Sequence, residues 1–203
     1  MIKNIVFDNG GVIVKYSADT YLDYFQFPKH IQKTLDQLFI SDKWIDFAKG
    51  QISSNDFKNY AIQKFPQLKE EIIKILDVNN LKFMIPPYQQ TINFIHFLKE
   101  KGFNVFLLSD INEDTIKYLN KTISNFESLF NGIIYSCRVG MVKKEGLIFN
   151  KLLNDFKLNS EETLFLDDSI INLIEAEKYG INTYRFLDPD TDINNIKLLL
   201  NVN

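Results

Sequence analysis

The sequence predicts an α/β fold in which helices cover both faces of a parallel sheet, with a small helical bundle inserted near the N-terminus. Two observations support this prediction. From about residue 86 onward, amphipathic helical patterns alternate with short apolar runs of strand type, which is the order of a parallel sheet with crossover helices. Between about residues 16 and 85, helical patterns occur without a clear strand.

Strands and helices can be assigned in turn along the chain. Pro86-Pro87 opens a helical stretch that stops at Gly102, and Gly180 ends the last predicted helix. Both glycines stand between a helix and a strand, where a left-handed residue is expected. The predicted strands are 5–7, 103–108, 132–136, 163–166 and 181–186, and the predicted helices are 91–98, a helix that ends near 130, 145–156 and 170–180.

The helical segment divides the chain into two predicted units. Residues 1–15 and 86–203 form the α/β core, and residues 16–85 form a helical cap inserted after the first strand. Ser53 or Ser54 is a candidate N-cap of a helix in this cap. Of the 28 aromatic residues, eleven fall within residues 16–65. We interpret each of them as bundle core in preference to a substrate-facing wall.

Composition and charge exclude several classes of protein. The 203 residues carry a formal net charge of −3 and only two arginines, so no basic stripe is available for a nucleic-acid backbone. No apolar run approaches the ~20 residues of a membrane span, and no secretion signal is evident; a cytoplasmic location is expected. The single cysteine, Cys137, excludes an internal disulfide and is interpreted as a small buried hydrophobe. The oligomeric state is not predicted.

Polar residues follow four of the predicted strands, at the edge where parallel sheets bind ligands. Carboxylate oxygens suit Mg²⁺, lysine supplies a point charge for phosphate, and hydroxyl and backbone N–H groups hold phosphate oxygens. Each group alone also has a structural interpretation, such as an N-cap or, for Asn9-Gly10, a β-hairpin turn. Together they predict one site for Mg²⁺ and phosphate. They are Asp8 to Gly11; Ser109, Asp110 and Asn112; Arg138 to Lys144; and Asp167, Asp168, Ser169 and Asn172.

The order of these motifs resembles that of the haloacid dehalogenase (HAD) superfamily. Ile5 to Asp8 resembles the strand and nucleophilic aspartate of its first motif, and Leu107 to Ser109 resembles its second. Lys143 matches the lysine of the third motif, and Leu164 to Ser169 resembles the fourth. The insertion is similar to the small α-helical cap of subclass I, and the whole chain resembles a bacterial subgroup that acts on glucose 1-phosphate. The resemblance implies a three-layer, Rossmann-like HAD core.

The activity that this resemblance implies is Mg²⁺-dependent hydrolysis of a small phosphorylated metabolite. Asp8 attacks phosphorus and forms an aspartyl-phosphate, which water then hydrolyses. Nucleic acid and membranes are not expected partners. The implied residues are Asp8, Ser109 and Lys143 for catalysis; Ser109, Asp110, Asn112 and Lys143 for substrate binding; Asp8, the Gly10 carbonyl and Asp168 as metal ligands; and Asp167 and Asn172 as supporting residues.

Gly10 departs from the family pattern, because most HAD phosphatases carry there a second aspartate that protonates the leaving oxygen. Such acid–base catalysis contributes roughly 10² to 10⁴ in rate. Three hypotheses remain. The substrate has a better leaving group, with a sugar 1-phosphate favoured; or Asp110, Asn112 or a cap residue moves the proton; or the chain is a pseudo-phosphatase that binds a phosphorylated ligand or a partner with weak or no turnover. Dehalogenation and phosphomutase activity are disfavoured.

Overall fold

A computed structural model describes residues 1–16 and 18–202. Ser17 and Asn203, which the predicted units include, lie outside the described residues. The five strands of the described chain are β1 (Asn4–Phe7), β2 (Asn104–Ser109), β3 (Gly132–Tyr135), β4 (Thr163–Asp167) and β5 (Asn182–Arg185).

Twelve α-helices occur within the described residues. Six of them precede β2 in the inserted segment: α1 (Ala18–Tyr24), α2 (Lys29–Phe39), α3 (Asp42–Ala48), α4 (Ser54–Lys64), α5 (Lys69–Ile75) and α6 (Leu81–Met84). The others are α7 (Gln89–Glu100), α8 (Glu113–Thr122), α9 (Ser136–Val139), α10 (Leu147–Phe156), α11 (Ile170–Glu177) and α12 (Pro189–Leu200). Short 3₁₀ turns lie at Pro66–Leu68, Val78–Asn80, Phe126–Leu129, Lys143–Glu145 and Ser160–Glu162.

The strands form one parallel sheet in the order β3-β2-β1-β4-β5. The chain adds β2 and β3 on one side of β1 and then β4 and β5 on the other side. At this change of direction, a crevice opens beyond the carboxyl ends of β1 and β4. Phe7 lies opposite Leu107 in β2 and Leu166 in β4. The next residues, Asp8 and Asp167, therefore leave the sheet side by side.

Alternate strand residues enter two different helical layers, as the period of a β-strand requires. Val6 and Phe165 are buried in a cluster that includes Phe149 of α10 and Leu173 of α11. Ile5 and Phe7 are buried in the other cluster, which joins α7, α8 and α12 to the inserted helices. The sheet thus has helices on both faces, which confirms the predicted α/β fold class.

The inserted segment is helical throughout its described elements. Ser53 is the N-cap of α4 and forms a reciprocal capping box with Asp56, which satisfies backbone N–H groups at the start of that helix. The buried cluster runs without interruption from the Ile5 face of the sheet into these helices. The division of the chain at residues 15 and 86 stays a prediction. Among the described helices, none combines the length and apolar character that a membrane crossing requires.

The β-hairpin interpretation of Asn9-Gly10 is wrong. The backbone N–H groups of Ile13 and Val14 both donate to Asn9 O, at 2.9 Å each, which closes a tight loop after β1. Val14 then forms an isolated antiparallel bridge with Pro87. Asn9-Gly10 does form a turn, but the residues after it pair with the segment at Pro87 and not with β1 as the second strand of a hairpin would.

Two helical features differ from the prediction. The helix expected to end near residue 130 stops at Thr122, because Asn125 takes a left-handed conformation (φ 55°) before a separate 3₁₀ turn. Helix α12 follows the last strand and was not predicted. Its start carries Asp188 as N-cap and Pro189 in the first turn, a signal that could have identified it.

Candidate active site

The ammonium group of Lys143 lies at the centre of the site. Its Nζ is 2.6 Å from Asp8 Oδ1 and 2.6 Å from Asp167 Oδ2. Asp8 follows β1 and Asp167 ends the neighbouring β4, whereas Lys143 comes from a 3₁₀ turn before α10. Only 2% of Lys143 is exposed, so water and salt screen these ion pairs weakly. The fold brings the predicted nucleophile, lysine and acidic pair together.

Both carboxylate oxygens of Asp167 are occupied by donors. Oδ1 accepts from the Ser169 backbone N–H at 2.8 Å, and Oδ2 accepts from Lys143. The Asn172 side-chain amide lies 3.1 Å from each oxygen. Asp167 therefore has the arrangement of a supporting residue that orients Lys143, and Asn172 supports it through this contact. Their roles in supporting a metal ion stay predictions.

The other predicted polar residues have different surroundings. The two carboxylate oxygens of Asp110 lie 3.1 Å from the Lys143 backbone N–H, which donates to them. Asn112 is the N-cap of α8 and accepts from Thr115 N at 3.0 Å. Ser109 is buried at the end of β2 and is not among the residues that line the cavity, whereas Asp110 and Asn112 line it. The side chains of Asp110 and Asn112 thus accept hydrogen bonds from backbone N–H groups, and their roles as substrate contacts stay predictions.

Negative charge exceeds positive charge in this site. Four carboxylates, those of Asp8, Asp110, Asp167 and Asp168, act on the ammonium of Lys143 or on one another. Burial alone lowers the pKa of Lys143, but the carboxylates outweigh burial and raise that pKa, so the lysine stays charged. Burial raises the pKa of Asp8, and Lys143 offsets part of the rise while Asp167 adds to it. Burial and Asp167 likewise raise the pKa of Asp168.

The donor chemistry of the site fits Mg²⁺. Oxygens of Asp8, Asp167 and Asp168 lie within 4.8 Å of one another. Asn9 Oδ1 is also buried, with no hydrogen-bond partner among the described residues. Hard oxygen ligands with surplus negative charge are what Mg²⁺ requires. Because Asp167 is engaged by donors, Asp8 and Asp168 are the side chains best suited to hold the ion.

Gly10 stands where the family pattern has an acid–base aspartate, and Tyr16 occupies the space beside it. A Cβ on Gly10 would lie 3.3 Å from Tyr16 Cβ and 3.6 Å from Tyr16 Cγ. Burial raises the pKa of Tyr16 to about 12, and Asp36 and Asp168 contribute to the rise. The Tyr16 phenol therefore stays neutral at physiological pH and does not replace a carboxylate base.

Gly11 lies in the predicted loop after β1, but the sequence prediction gave it no role of its own. It has φ +76°, and a Cβ there would lie 2.6 Å from both Cγ and Oδ2 of Asp168. The glycine lets the loop after β1 approach the Asp168 carboxylate closely. Two consecutive glycines directly after Asp8-Asn9 are the signal that could have identified this contact.

Replacing Gly11 by alanine is expected to displace Asp168 and weaken Mg²⁺ binding at least tenfold. Gly102→Ala is the matched control, because Gly102 also has a positive φ (+88°) but has no atom within 4 Å of the added Cβ. Both variants lose roughly 1 to 2 kcal/mol of stability through backbone strain. Mg²⁺ titration by calorimetry separates the two variants, and equal Mg²⁺ affinities would contradict the expectation that the position of Asp168 beside Gly11 matters for Mg²⁺ binding.

A single cavity of about 400 Å³ lies over the Asp8 and Lys143 side chains. The inserted helices provide much of its wall, and three contacts attach them to the α/β core. Ser136 Oγ donates to Ala48 O at 2.7 Å, Lys49 Nζ lies 2.5 Å from Glu145 Oε1, and Ser54 donates to Asp114. Lys49 is thus engaged in attaching the inserted helices to the core. The site therefore lies between the inserted helices and the carboxyl edge of the sheet.

Cys137 lies outside the cavity lining, beside Glu113, whose Oε1 is 3.8 Å from the thiol sulfur. It is half-buried, so the prediction of a buried residue holds only in part. Burial and Glu113 raise the pKa of the thiol to about 11. A thiol with this pKa carries little thiolate at neutral pH, which argues against a nucleophilic role.

Alkylation of Cys137 by iodoacetamide is expected to be about tenfold slower than that of glutathione at pH 8. The raised pKa lowers the thiolate fraction roughly 100-fold, and the greater intrinsic nucleophilicity of that thiolate recovers roughly a factor of ten. Because the pKa of the thiol is about 11, the thiol is still mostly protonated at pH 10. The alkylation rate should therefore rise about tenfold per pH unit between pH 8 and pH 10. A plateau near pH 9 would contradict the assigned environment.

The family model for haloacid dehalogenase-like hydrolases matches residues 2–180. The chain belongs to this family. The predicted HAD recognition and the expectation of a hydrolase are thereby confirmed.

Two solved HAD structures resemble this chain closely. A predicted HAD-like family hydrolase from Porphyromonas gingivalis is 26% identical, with 100% of both chains covered and a TM-score of 0.79. A HAD family enzyme from Bacteroides thetaiotaomicron, solved as a magnesium complex, is 25% identical, with 91% of this chain and 92% of that chain covered and a TM-score of 0.73. These neighbours confirm the predicted fold.

Two curated relatives are phosphatases of similar length. The D-ribitol-5-phosphate phosphatase of Bacteroides thetaiotaomicron is 24% identical over 91% of this chain and 92% of its own length. The sesquiterpene phosphatase astK of Aspergillus oryzae is 24% identical over 88% of this chain and 87% of its own length. Two other relatives are much longer, and the chain spans only 19% and 35% of them.

Proposed function

We propose that this HAD hydrolase is a Mg²⁺-dependent phosphomonoesterase that works through an aspartyl-phosphate on Asp8. The observation that carries the proposal is the Lys143 ammonium, which lies 2.6 Å from Asp8 and 2.6 Å from Asp167. A fixed cation beside a carboxylate nucleophile counters the charge that gathers when phosphate approaches. Two relatives of similar length are named as phosphatases, and they support the same class of reaction.

The two oxygens of Asp8 have separate tasks in this mechanism. Oδ1 accepts from the Asn9 backbone N–H at 2.6 Å and lies 2.6 Å from Lys143 Nζ. Oδ2 is the proposed nucleophile: it bonds to phosphorus while the ester P–O bond breaks, and the leaving oxygen departs as an anion that takes a proton from solvent water. Water then attacks phosphorus, releases phosphate and regenerates the carboxylate. Ser109 and Lys143 are the proposed contacts of the phosphoryl oxygens.

Mg²⁺ supplies positive charge for the phosphoryl oxygens when it is bound. Asp8, the Gly10 carbonyl and Asp168 are its proposed ligands, with Asp167 and Asn172 in support. Asp8 must be ionised to attack, and burial raises its pKa. Lys143 opposes that rise and so favours the ionised, reactive form of Asp8.

The leaving group must depart without help from residue 10, because glycine has no side chain to protonate it. A leaving oxygen of low basicity meets this requirement. Anomeric sugar phosphates, favoured by the sequence, and aryl phosphates both have such an oxygen, whereas simple alkyl phosphates do not. Asp110 and Asn112, the alternative proton carriers, are already hydrogen-bonded to backbone N–H groups, which favours the leaving-group explanation.

The purified protein is expected to release phosphate from phenyl phosphate and from a sugar 1-phosphate only when Mg²⁺ is present. Both substrates should react at least tenfold faster than a simple alkyl phosphate such as ethyl phosphate, since general acid catalysis is worth roughly 10² or more. EDTA should stop the reaction, and added Mg²⁺ should restore it. Binding of phosphate analogues without turnover of any substrate would favour the pseudo-phosphatase hypothesis instead. Equal rates on all three esters would contradict the explanation of Gly10.

A further inference from the structure

The cavity above Asp8 has two chemically different ends. One end carries the charged groups of Asp8, Lys143 and Asp168. The other end is formed largely by the inserted helices and by the segment after β2. Nine of the lining residues have aliphatic or phenyl side chains without a polar group, and Trp44 adds an indole ring. A phosphate ester that places its phosphoryl group at the charged end must place its alcohol against this apolar wall.

Four aromatic rings form a packed part of the apolar wall. Trp44 meets Phe39, Phe47 and Phe57 edge to face, with ring centroids 5.1, 5.7 and 5.4 Å apart. Phe47 and Phe57 stack at 5.3 Å with an interplanar angle of 7°. Rings held by one another in this way present a preformed surface on which a further ring can pack edge to face or offset.

Three of the polar side chains beside this wall already form hydrogen bonds within the protein. Ser54 donates to Asp114, and Asp77 caps the 3₁₀ turn that begins at Val78. Asn112 accepts from the Thr115 backbone and from its hydroxyl. Few polar groups therefore remain at this end for the several hydroxyls of a polyhydroxylated alcohol, and a buried hydroxyl left unpaired is costly.

We propose that the alcohol bound at this apolar end is aromatic, so that the substrates are aryl or arylalkyl monophosphates in preference to sugar phosphates. This inference rests on the proposed phosphatase function and assigns its substrate class. The size of the cavity is suitable: benzene occupies an apolar cavity of roughly 150 Å³, and about 400 Å³ is available here for the ring system and the phosphate. An aryl oxide also departs without the proton donor that Gly10 lacks.

The decisive comparison uses two primary alkyl phosphates whose leaving oxygens are of similar basicity but whose alcohols differ in polarity. With Mg²⁺ present, kcat/KM for 2-phenylethyl phosphate is expected to exceed that for glycerol 3-phosphate at least tenfold, which is about 1.4 kcal/mol. Acetyl phosphate, which has no ring, reports the reaction at Asp8 independently of the apolar wall. Turnover of acetyl phosphate with equal or reversed selectivity between the two alkyl esters would overturn the inference and leave the phosphatase proposal intact. Metal-dependent turnover of none of the three would overturn the phosphatase proposal itself.

Two variants locate the selectivity in the wall. Trp44→Leu removes the ring that contacts the other three, and Val78→Gln adds a polar group at a lining position that is 48% exposed and therefore tolerant of change. Phe97→Leu is the control, because Phe97 packs near Lys197 outside this cavity. Each wall variant should raise KM for 2-phenylethyl phosphate about tenfold relative to acetyl phosphate, whereas Phe97→Leu should not. If the ratio of the KM for 2-phenylethyl phosphate to that for acetyl phosphate is unchanged in Val78→Gln and in a folded Trp44→Leu variant, the phenyl ring of the substrate does not bind at this wall.

Discussion

The Asp8→Asn variant is expected to lose at least ~10³-fold in kcat with phenyl phosphate and Mg²⁺. An amide oxygen does not displace the ester oxygen at phosphorus, and removing the nucleophile of a covalent mechanism commonly removes most of the rate enhancement. The variant should remain folded, because Lys143 keeps its ion pair with Asp167 at 2.6 Å. Steady-state kinetics on the wild type and the variant, with thermal unfolding as a check, measure the effect.

Asp155→Asn is the matched control for this substitution. Asp155 pairs with Lys151 on the surface of α10 and does not line the cavity, so its loss should leave kcat within about a factor of two. Its comparison with Asp8→Asn separates the loss of a nucleophile from a general effect of removing one carboxylate. Substantial turnover by Asp8→Asn, above about a tenth of the wild-type rate, would place the nucleophile elsewhere.

The Lys143→Met variant is expected to lose about 3 to 5 kcal/mol in free energy of unfolding. Lys143 is 2% exposed and neutralises the buried Asp8 and Asp167, and removing one partner of a buried ion pair leaves the remaining charge uncompensated. Lys144→Met is the control, because Lys144 is exposed at the next position and should change stability by less than about 0.5 kcal/mol. Urea unfolding curves measure both variants.

The loss of stability in Lys143→Met is expected to be smaller at acidic pH than at neutral pH. Burial and Asp167 raise the pKa of Asp8 in the folded state, and the variant lacks the lysine that opposes the rise. A carboxyl with a raised folded-state pKa stabilises the fold while it is protonated, and that contribution is lost as pH rises through the folded-state pKa. The difference in free energy of unfolding between the variant and the wild type should therefore become smaller as the pH falls from neutral towards the ordinary pKa of an aspartate. A gap that widens on acidification would contradict the role of Lys143 as the compensating charge.

The sequence predicted the charged end of the site well because parallel strands place their carboxyl ends at one edge. Asp8 and Asp167 follow strands that are direct neighbours in the sheet, so strand assignment alone brought them together. Lys143 was selected over Lys144 by resemblance to the family motif, and the two differ in the expected way, one buried and the other exposed. Predicting that Asp8 and Asp167 lie side by side therefore required only the order of the strands and helices.

The apolar end of the cavity was not predictable in the same way. Trp44 and Phe47 carry a helical spacing that is typical of packing, and they do pack, yet they also line the cavity. Which side of a packed ring faces a ligand depends on how the inserted helices meet the core, and helical periodicity does not contain that information. The same limit applies to Asp110, whose carboxylate holds the Lys143 backbone. Such contacts arise from tertiary packing between segments distant along the chain.

Trapping the phosphorylated enzyme tests the central claim most directly. The wild-type protein would be mixed with phenyl phosphate and Mg²⁺, quenched in acid within one turnover, digested and examined by mass spectrometry. The peptide that contains Asp8 should carry one phosphoryl group, and this adduct should disappear in Asp8→Asn and when the quench follows substrate exhaustion. A phosphoryl group on another residue, or turnover without any phosphorylated peptide across the time course, would contradict the assignment of Asp8 as the nucleophile.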